Sequence, residues 1–101
     1  MDMVELFKIL SNEHRLQILT WLKEPHKYFD AVDIEPEVKD YGVCMSVIQK
    51  KAGISQSTTS TYLTSMVNSG VLKSTREGQW TYYKRNEEKI QELADYIKSQ
   101  L

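Results

Sequence analysis

The segment from Gly53 to Gly70 constrains the fold of this chain more than any other part of its sequence. Gly53 can end a preceding helix in a left-handed conformation, which only glycine adopts at low cost. Ser55 then follows as an N-cap whose hydroxyl can accept from a free backbone N–H two or three residues on. Gly70 marks the end of the second helix. The segment therefore predicts a helix that follows a tight turn and has both ends defined.

This helix is predicted to have one inward and one outward face, because its side chains divide at helical spacing. The inward face holds Thr59, Leu63, Met66 and Val67, and the outward face holds Ser57, Thr58, Ser60, Thr61 and Thr64. A short polar face lets a helix lie deep in the major groove of DNA, where long charged side chains would hold it away. The segment is typical of the turn and recognition helix of a helix-turn-helix unit.

Five side chains at the start of this helix are candidates for DNA contacts: Gln56, Ser57, Thr58, Ser60 and Thr61. Gln56 is the strongest base-reading candidate, because its amide can pair bidentately with adenine. Serine and threonine hydroxyls can bond to bases or phosphates, and a threonine methyl can contact the methyl group of thymine. The alternative is a flexible, low-complexity linker. Linkers do not carry apolar residues at helical spacing between a cap and a glycine stop, so we expect a recognition helix.

The distribution of charge favours a nucleic-acid partner, although the net charge of the chain is −1. Residues 1–41 carry a net charge of −4, residues 42–85 carry +5 and residues 86–101 carry −2. The basic excess coincides with the expected DNA-reading unit. Its basic side chains are expected to contact phosphates, although each could instead be an ordinary solvated charge. These side chains are Lys50, Lys51, Lys73, Arg76, Lys84 and Arg85.

Length and composition indicate a single domain over residues 1–101, large enough for a modest core and small enough to gain from dimerisation. Charged residues within the first fifteen positions argue against a signal peptide. No apolar run approaches the roughly 20 residues that span a bilayer. The single cysteine, Cys44, cannot form an internal disulfide, which suits a reducing compartment. We therefore expect a cytoplasmic protein with no membrane segment.

Three helices are predicted before the recognition helix. The first covers residues 3–10, and the second starts at an N-cap on Ser11 and is closed by Pro25. The third covers about residues 44–52 and supports the turn. Their apolar stripes are expected to be Met3, Phe7 and Leu10; Leu16, Leu19 and Leu22; and Val47, Ile48 and Ala52.

Residues 25–42 break the helical pattern with Pro36, several acidic residues and scattered aromatics. The segment is predicted to be an extended or partly ordered acidic loop, which is long for a compact domain. Three roles are open for this insertion. It could be part of an effector pocket, an electrostatic guard against non-specific DNA, or a connection without a function of its own.

After Gly70 the pattern changes to that of a β-hairpin. Residues 71–73 begin a strand, residues 76–79 form a tip, and residues 80–83 return as a second strand. A hairpin beside a recognition helix is a wing. Arg76 and Gln79 at its tip could reach the adjacent minor groove, because a narrow groove attracts arginine. Arg76 could equally be only a solubilising charge.

A last helix is expected after an N-cap on Asn86, with acidic residues in its first turn and Lys98 in its last turn, as the helix dipole favours. Its apolar stripe would have no partner once the helical core is filled. We therefore expect this stripe to form a two-fold dimer together with the first helix. The expected interface residues are Phe7, Leu10, Ile90, Leu93, Ala94, Ile97 and Leu101.

The order of four helices, a wing and a last helix, together with three motifs, resembles the ArsR-type winged-helix transcriptional regulators. Residues 10–19, LSNEHRLQIL, are similar to the opening motif L-S-x-x-x-R-L-x-I-L of that family. Residues 55–63 are similar to its recognition helix, and residues 78–83, GQWTYY, to its wing motif G-x-W-x-x-Y. The resemblance covers nearly the whole chain. It implies a mainly α fold with a small β-hairpin, a dimer formed by the terminal helices, and operator contacts from Gln56, Ser57, Ser60 and Thr61.

The resemblance also implies release from the operator when an effector binds, in many members a metal held by a cysteine pair near the third helix. Residues 44–46 are Cys-Met-Ser here, so one thiolate remains, whereas a soft-metal site needs several converging ligands. The last helix, which is the other metal location in the family, carries Glu92 and Asp95 but no histidine. We expect no metal cofactor. Cys44 is either a redox switch or a small core residue, and His14 is expected to be structural.

These observations favour a sequence-specific regulator of transcription that binds double-stranded DNA as a homodimer, most simply a repressor on a palindromic operator. Two alternatives stay open: a winged-helix module that binds protein, and a redox- or metal-responsive repressor that uses Cys44. An enzyme is not expected. The sequence has no nucleophile with a recognisable base, no glycine-rich phosphate loop and no paired acids in a recognisable context.

Overall fold

The computed structural model describes residues 3–101, in which helices dominate and three short strands form one sheet. The elements in chain order are α1 (Met3–Leu10), α2 (Glu13–Lys23), α3 (Pro25–Tyr28), α4 (Ala31–Ile34), β1 (Val43–Cys44), α5 (Met45–Ala52), α6 (Gln56–Asn68), β2 (Leu72–Glu77), β3 (Trp80–Arg85) and α7 (Glu87–Gln100). The fold class is therefore mainly α with a small antiparallel sheet, as predicted. Met1 and Asp2 lie outside the described residues.

The first two helices form the expected pair, but the cap of α2 differs from the prediction. Asn12, not Ser11, is the N-cap, and its side chain accepts from the backbone N–H of Arg15 at 3.1 Å. The Ser11 hydroxyl instead donates to the carbonyl of Lys8 at 2.7 Å and closes the end of α1. Two adjacent residues are both good caps, and each serves a different helix. The predicted stop also holds, since α2 ends at Lys23, shortly before Pro25.

The buried face of α2 is rotated from the predicted stripe. Ile18, Leu19 and Leu22 are buried, with Ile18 fully enclosed at 0% exposure. Leu16, which the spacing placed on the inward stripe, is 50% exposed. The prediction for Leu16 was wrong. The inward face of α2 is centred on Ile18, Leu19 and Leu22, and the predicted stripe of leucines left out Ile18.

The acidic segment 25–42 is more ordered than the predicted loop. It contains the short helices α3 and α4, followed by hydrogen-bonded turns that run to Tyr41. Phe29, Ile34 and Val38 are buried in the core, so the segment is anchored at three points along its length. Burial of these side chains offsets the entropy of ordering the backbone. Of the two predicted states, the extended loop was therefore wrong, and the segment is more ordered than the partly ordered alternative.

The sheet contains a strand that the sequence did not indicate. Strand β1 pairs antiparallel with β3, with Val43 opposite Tyr83, so that β3 lies between β1 and β2. Gly42 precedes β1 with a φ of 100° and is buried against Tyr83. The wing hairpin is thereby attached to the residues that lead into α5.

One hydrophobic cluster unites the helices and the sheet. Its most enclosed side chains come from six separate elements or their connections: Leu6, Ile18, Val43, Ile48, Leu63, Met66 and Val71. Helix α7 is capped by Asn86, as predicted, and lays Leu93 into the same cluster. Among the described residues, no helix is both long and apolar enough to cross a membrane.

Burial divides the predicted dimer stripe into two parts. Leu93 is only 8% exposed, and Ile90 and Leu10 pack against the core. The prediction that the stripe of the last helix lacks a partner within the chain was therefore wrong for Ile90 and Leu93. The exposed remainder lies toward the end of α7 and along α1. It consists of Phe7, Ala94, Ile97 and Leu101, and the exposed Val4, which was not among the predicted interface residues, lies on α1 as well.

Candidate nucleic-acid interface

The turn between α5 and α6 has the geometry that the sequence predicts. Gly53 adopts a left-handed conformation, with a φ of 69°, and its N–H donates to the carbonyl of Gln49 at 2.9 Å. The side chain of Gln49 also donates to the carbonyl of Ile54 at 3.3 Å. Ser55 caps α6, because its hydroxyl accepts from the N–H of Thr58 at 3.1 Å. These bonds fix the direction in which α6 leaves the turn.

The inward face of α6 packs as expected. Thr59, Leu63 and Met66 are fully buried, and Val67 is half-buried. The Thr59 hydroxyl donates to the carbonyl of Ser55 at 2.8 Å. A buried hydroxyl is costly only when it lacks a partner, so threonine is accommodated at this position.

The outward face presents the predicted reading side chains to solvent. Gln56, Ser57, Ser60 and Thr61 are all exposed. The Thr61 hydroxyl donates to the carbonyl of Ser57 at 3.0 Å, which leaves its oxygen able to accept. Thr58 is half-buried, and its hydroxyl accepts from Ser55 at 2.9 Å, so it belongs to the cap and lies at the edge of this face.

A set of contacts that the sequence analysis missed holds α6 against α2. The rings of His14 and Tyr62 stack with their centres 5.9 Å apart and an interplanar angle of 25°. The Arg15 guanidinium lies over the same tyrosine ring, 5.3 Å from its centre. His14 thus packs against α6, which agrees with the structural role predicted for it. The opening motif contains both residues, but sequence spacing does not reveal their partner on α6.

The wing is a tight hairpin whose tip is shorter than predicted. Strands β2 and β3 pair as far as Glu77 and Trp80, which leaves a two-residue turn of Gly78 and Gln79. Arg76 belongs to the strand rather than to the tip, and its Nε donates to the carbonyl of Gly78 at 3.1 Å. The predicted four-residue tip was wrong in this respect. Arg76 and Gln79 are nevertheless both exposed at this end of the hairpin.

A cleft between α6 and the wing brings predicted residues from the two elements together. Its volume is about 460 Å³. Gln56 and Ser60 line it from the recognition helix, and Arg76 and Gln79 line it from the wing. Trp80 contributes a half-exposed aromatic ring to the same cleft. Residues separated by about twenty positions in sequence therefore form one polar and basic surface.

The remaining predicted phosphate contacts divide into separate groups. Lys73 and Lys84 lie opposite each other in the wing, and both are exposed. The Lys84 ammonium also donates to the carbonyl of Asp40 at 3.2 Å. Lys50 and Lys51 do not line the cleft but lie in the last turn of α5, beside the acidic segment.

Arg85 is the exception among the basic residues. Its side chain is 10% exposed and donates to Glu87 at 3.0 Å. Because the side chain is nearly buried and its Nη2 is paired with Glu87, Arg85 is not placed to contact phosphate, and that prediction was wrong.

The surroundings of Cys44 do not choose between the two alternatives drawn from the sequence, a redox switch and a small core residue. It is half-buried, it is the N-cap residue of α5, and it lines the cleft. Its Sγ lies 3.4 Å from the hydroxyl of Ser46. Among residues 3–101, no group of three or more metal-binding side chains converges on one point.

The pKa of Tyr83 is raised above its ordinary value of 10.0. The larger cause is burial of the phenol, and the smaller cause is the nearby Cys44.

A relative of full length decides the family. The chain is 48% identical over 101 residues to the uncharacterized HTH-type transcriptional regulator YbzH of Bacillus subtilis (strain 168), and the match covers 100% of both proteins. This chain belongs to the HTH-type transcriptional regulators. No family model matches the sequence of this HTH-type regulator. The predicted class of function is confirmed at this level.

Solved structures confirm the winged-helix fold of this HTH-type regulator. The homodimeric winged helix-turn-helix DNA-binding domain of Mb0332 from Mycobacterium bovis, a possible ArsR-family regulator, matches with a TM-score of 0.65 at 23% identity. That match covers 95% of this chain and 74% of the other. NolR from Sinorhizobium fredii matches with a TM-score of 0.63 at 20% identity, covering 93% of this chain and 78% of NolR. The predicted resemblance to ArsR-type proteins is thus confirmed in the fold.

Proposed function

We propose that this HTH-type regulator is a homodimeric repressor that binds a specific double-stranded DNA operator without a metal cofactor. The recognition helix reads bases in the major groove through Gln56, Ser57, Ser60 and Thr61, with Thr58 at the edge of the contact. The wing lies along the neighbouring backbone and minor groove. Repression follows from occupancy, because a bound dimer excludes polymerase from the same DNA.

The cleft between α6 and the wing is the observation that carries this proposal. It joins the reading residues Gln56 and Ser60 to Arg76 and Gln79 on one exposed surface. The pairing of a short polar helix face with a flanking arginine fits base readout beside phosphate or minor-groove contact. The exposed Lys73 and Lys84 extend positive charge along the wing. Lys50 and Lys51 add charge at the end of α5.

The dimer is proposed from the apolar surface of the terminal helices. Phe7 contacts Tyr96, with ring centres 6.2 Å apart, which joins α1 and α7 into one face. Val4 and Ile97 are exposed on these two helices, and Leu101 is exposed directly after α7. A two-fold axis through this face would present two recognition helices, about 34 Å apart, to successive major grooves. A palindromic operator follows from that symmetry.

The proposed repressor is a cytoplasmic DNA-binding protein and not an enzyme.

The competing function is a winged-helix module whose polar face binds another protein. An interface of that kind has buried aromatic or apolar anchors at its centre. The outward face of α6 instead carries exposed polar side chains such as Gln56, Ser57 and Ser60.

The test is selection of bound duplexes from a random DNA library at about 150 mM salt, a condition that weakens non-specific binding. The proposal predicts enrichment of a two-fold symmetric motif. It also predicts that the logarithm of the affinity for that motif falls with the logarithm of salt with a slope of several units. Absence of enrichment together with a flat salt dependence would favour the protein-binding module.

A further inference from the structure

A second cavity separates the acidic segment 25–42 from α5. Its volume is about 460 Å³, within the range of roughly 300 to 1,000 Å³ that is usual for small-molecule sites. The floor contains the buried Phe29, and the half-buried Tyr28 and Val47 form its walls. Charged side chains stand at the rim. The cavity therefore has an apolar base and a charged mouth.

The charges at this rim are opposite in sign and unpaired. Asp30 and Asp33 enter from the acidic segment, and Lys50 and Lys51 enter from the last turn of α5. Among the ion pairs of residues 3–101, none joins any of these four side chains to a partner within 4.0 Å. Two carboxylates and two ammonium groups thus line one small cavity without forming ion pairs with each other.

This arrangement selects among ligand charges. A simple anion attracted by the two lysines would be repelled by the two aspartates, and a simple cation attracted by the two aspartates would be repelled by the two lysines. A zwitterion can direct its acidic group to the lysines and its amine to the aspartates. An aromatic or aliphatic side chain on the same molecule would cover Tyr28, Phe29 and Val47.

The base of the cavity is fixed by packing around Phe29. The Phe29 ring meets Trp21 edge-on, with centres 6.2 Å apart and an interplanar angle of 84°. The Lys51 ammonium lies 5.2 Å from the centre of the Trp21 ring and 5.8 Å from that of Phe29. A ligand that recruits Lys51 would therefore change the surroundings of Trp21. This tryptophan is a built-in reporter of the cavity.

We propose that this cavity is an effector site for a small zwitterion of the amino-acid type with an aromatic or bulky apolar side chain. Occupancy directs Lys50 and Lys51 to the carboxylate of the ligand and withdraws them from DNA phosphates, so that affinity for the operator falls. This regulatory step rests on the proposed function, whereas binding of the ligand does not. The acidic segment would then form one side of the effector site, and α5 would form the other.

The binding test uses Trp21 fluorescence in the Trp80→Phe variant, which leaves Trp21 as the single tryptophan. The probes are L-phenylalanine, L-tyrosine, L-leucine and L-methionine. The controls are 3-phenylpropionate, which lacks the amine, and phenethylamine, which lacks the carboxylate. We expect a saturable change with at least one amino acid below about 10 mM and binding at least about tenfold weaker for the one-charge analogues. No binding by any of the four amino acids, or equal binding of an analogue, would overturn the proposal.

Matched variants place the ligand in the cavity. Asp33→Asn and Lys50→Gln each remove one exposed charge at the rim and should weaken binding at least about fivefold. Asp40→Asn and Lys23→Gln remove exposed charges elsewhere and should leave it unchanged. Equal effects of both pairs would contradict the assignment of the site.

The DNA arm measures operator affinity of the wild-type protein with and without the bound amino acid. A decrease of at least about tenfold, absent in Asp33→Asn, supports an effector role, and an unchanged affinity overturns it. Failure here is separable from failure of the proposed function, because DNA selection is done without ligand and the fluorescence titration is done without DNA.

Discussion

Arg15 places its guanidinium 5.3 Å from the centre of the Tyr62 ring, and so joins α2 directly to the recognition helix. The same guanidinium donates through Nε to the carbonyl of Ile9 at 2.6 Å and through Nη2 to that of Lys8 at 3.4 Å. The last four carbonyls of a helix lack partners within it, so these bonds satisfy the end of α1. One side chain thereby fixes three helices relative to one another.

Arg15→Ala is therefore expected to lower the free energy of unfolding by about 1 to 3 kcal/mol, since it removes the bonds to α1 and the contact with the Tyr62 ring. Arg15→Lys should fall between this variant and the wild type, because lysine keeps the charge but loses the planar donor group. Unfolding in urea measures the free energy of unfolding of both Arg15 variants. Lys23→Ala, on the exposed end of α2, is the control, and an Arg15→Ala value equal to this control would contradict the role of Arg15.

Gly42 and Gly53 both have positive φ angles, but their surroundings predict different costs for alanine. A Cβ at Gly42 would collide with the carbonyl oxygen of Tyr83 and lie 2.9 Å from the Cβ of Lys84. A Cβ at Gly53 would meet no atom within 4 Å. Gly53→Ala should cost only the backbone strain of about 1 to 2 kcal/mol.

Gly42→Ala should cost more than about 3 kcal/mol or prevent folding, because the clash involves backbone that is fixed in the sheet. Thermal unfolding of the two variants in parallel provides the comparison. Similar losses of stability in both would show that β1 does not pack against β3 as described.

The raised pKa of Tyr83 predicts a loss of stability at alkaline pH. Burial favours the neutral phenol in the folded protein, whereas the unfolded chain ionises near its ordinary value of 10.0. The stabilising contribution is therefore complete below pH 10.0 and is lost as the pH rises through the higher native pKa. The difference in unfolding free energy between wild type and Tyr83→Phe should shrink or reverse in this range. A difference independent of pH would contradict the burial of the phenol.

Ile97→Glu is expected to shift the protein from dimer to monomer, because it places a charge in the proposed apolar interface. Ile97 is 45% exposed in the single chain, so the variant should retain its fold. Val32→Glu is the matched control, since Val32 is 85% exposed on α4, away from the terminal helices. Sedimentation equilibrium measures the dissociation constant. Equal weakening by both substitutions, or by neither, would contradict the placement of the interface.

Sequence reasoning succeeded where structure is decided by neighbouring residues. Gly53, Ser55 and Asn86 each produce a helix end through their own backbone preference or a short hydrogen bond, so the turn, α6 and the start of α7 were predictable. The wing was also predictable from its change of pattern. The family motifs added the order of the main elements, which the structure shows with α3, α4 and β1 inserted between the second and third predicted helices.

Sequence reasoning failed where burial depends on distant parts of the chain. Phe29, Ile34 and Val38 show no helical period across Pro36, yet all three are buried and order the acidic segment. Leu93 looks like an unpartnered residue in sequence but is covered by the chain's own core. The two cavities were equally hidden, because each is formed by elements that meet only in the folded molecule.

The most direct test of the central claim is to compare the affinities of the wild type, Gln56→Ala and Lys73→Ala for the selected operator and for a scrambled duplex. Gln56→Ala should lose about 1 to 3 kcal/mol on the operator and little on the scrambled sequence, because we propose that Gln56 reads a base. Lys73→Ala should weaken both equally and lower the salt slope by about one unit. Equal losses on operator and scrambled DNA for Gln56→Ala would contradict sequence reading by the recognition helix.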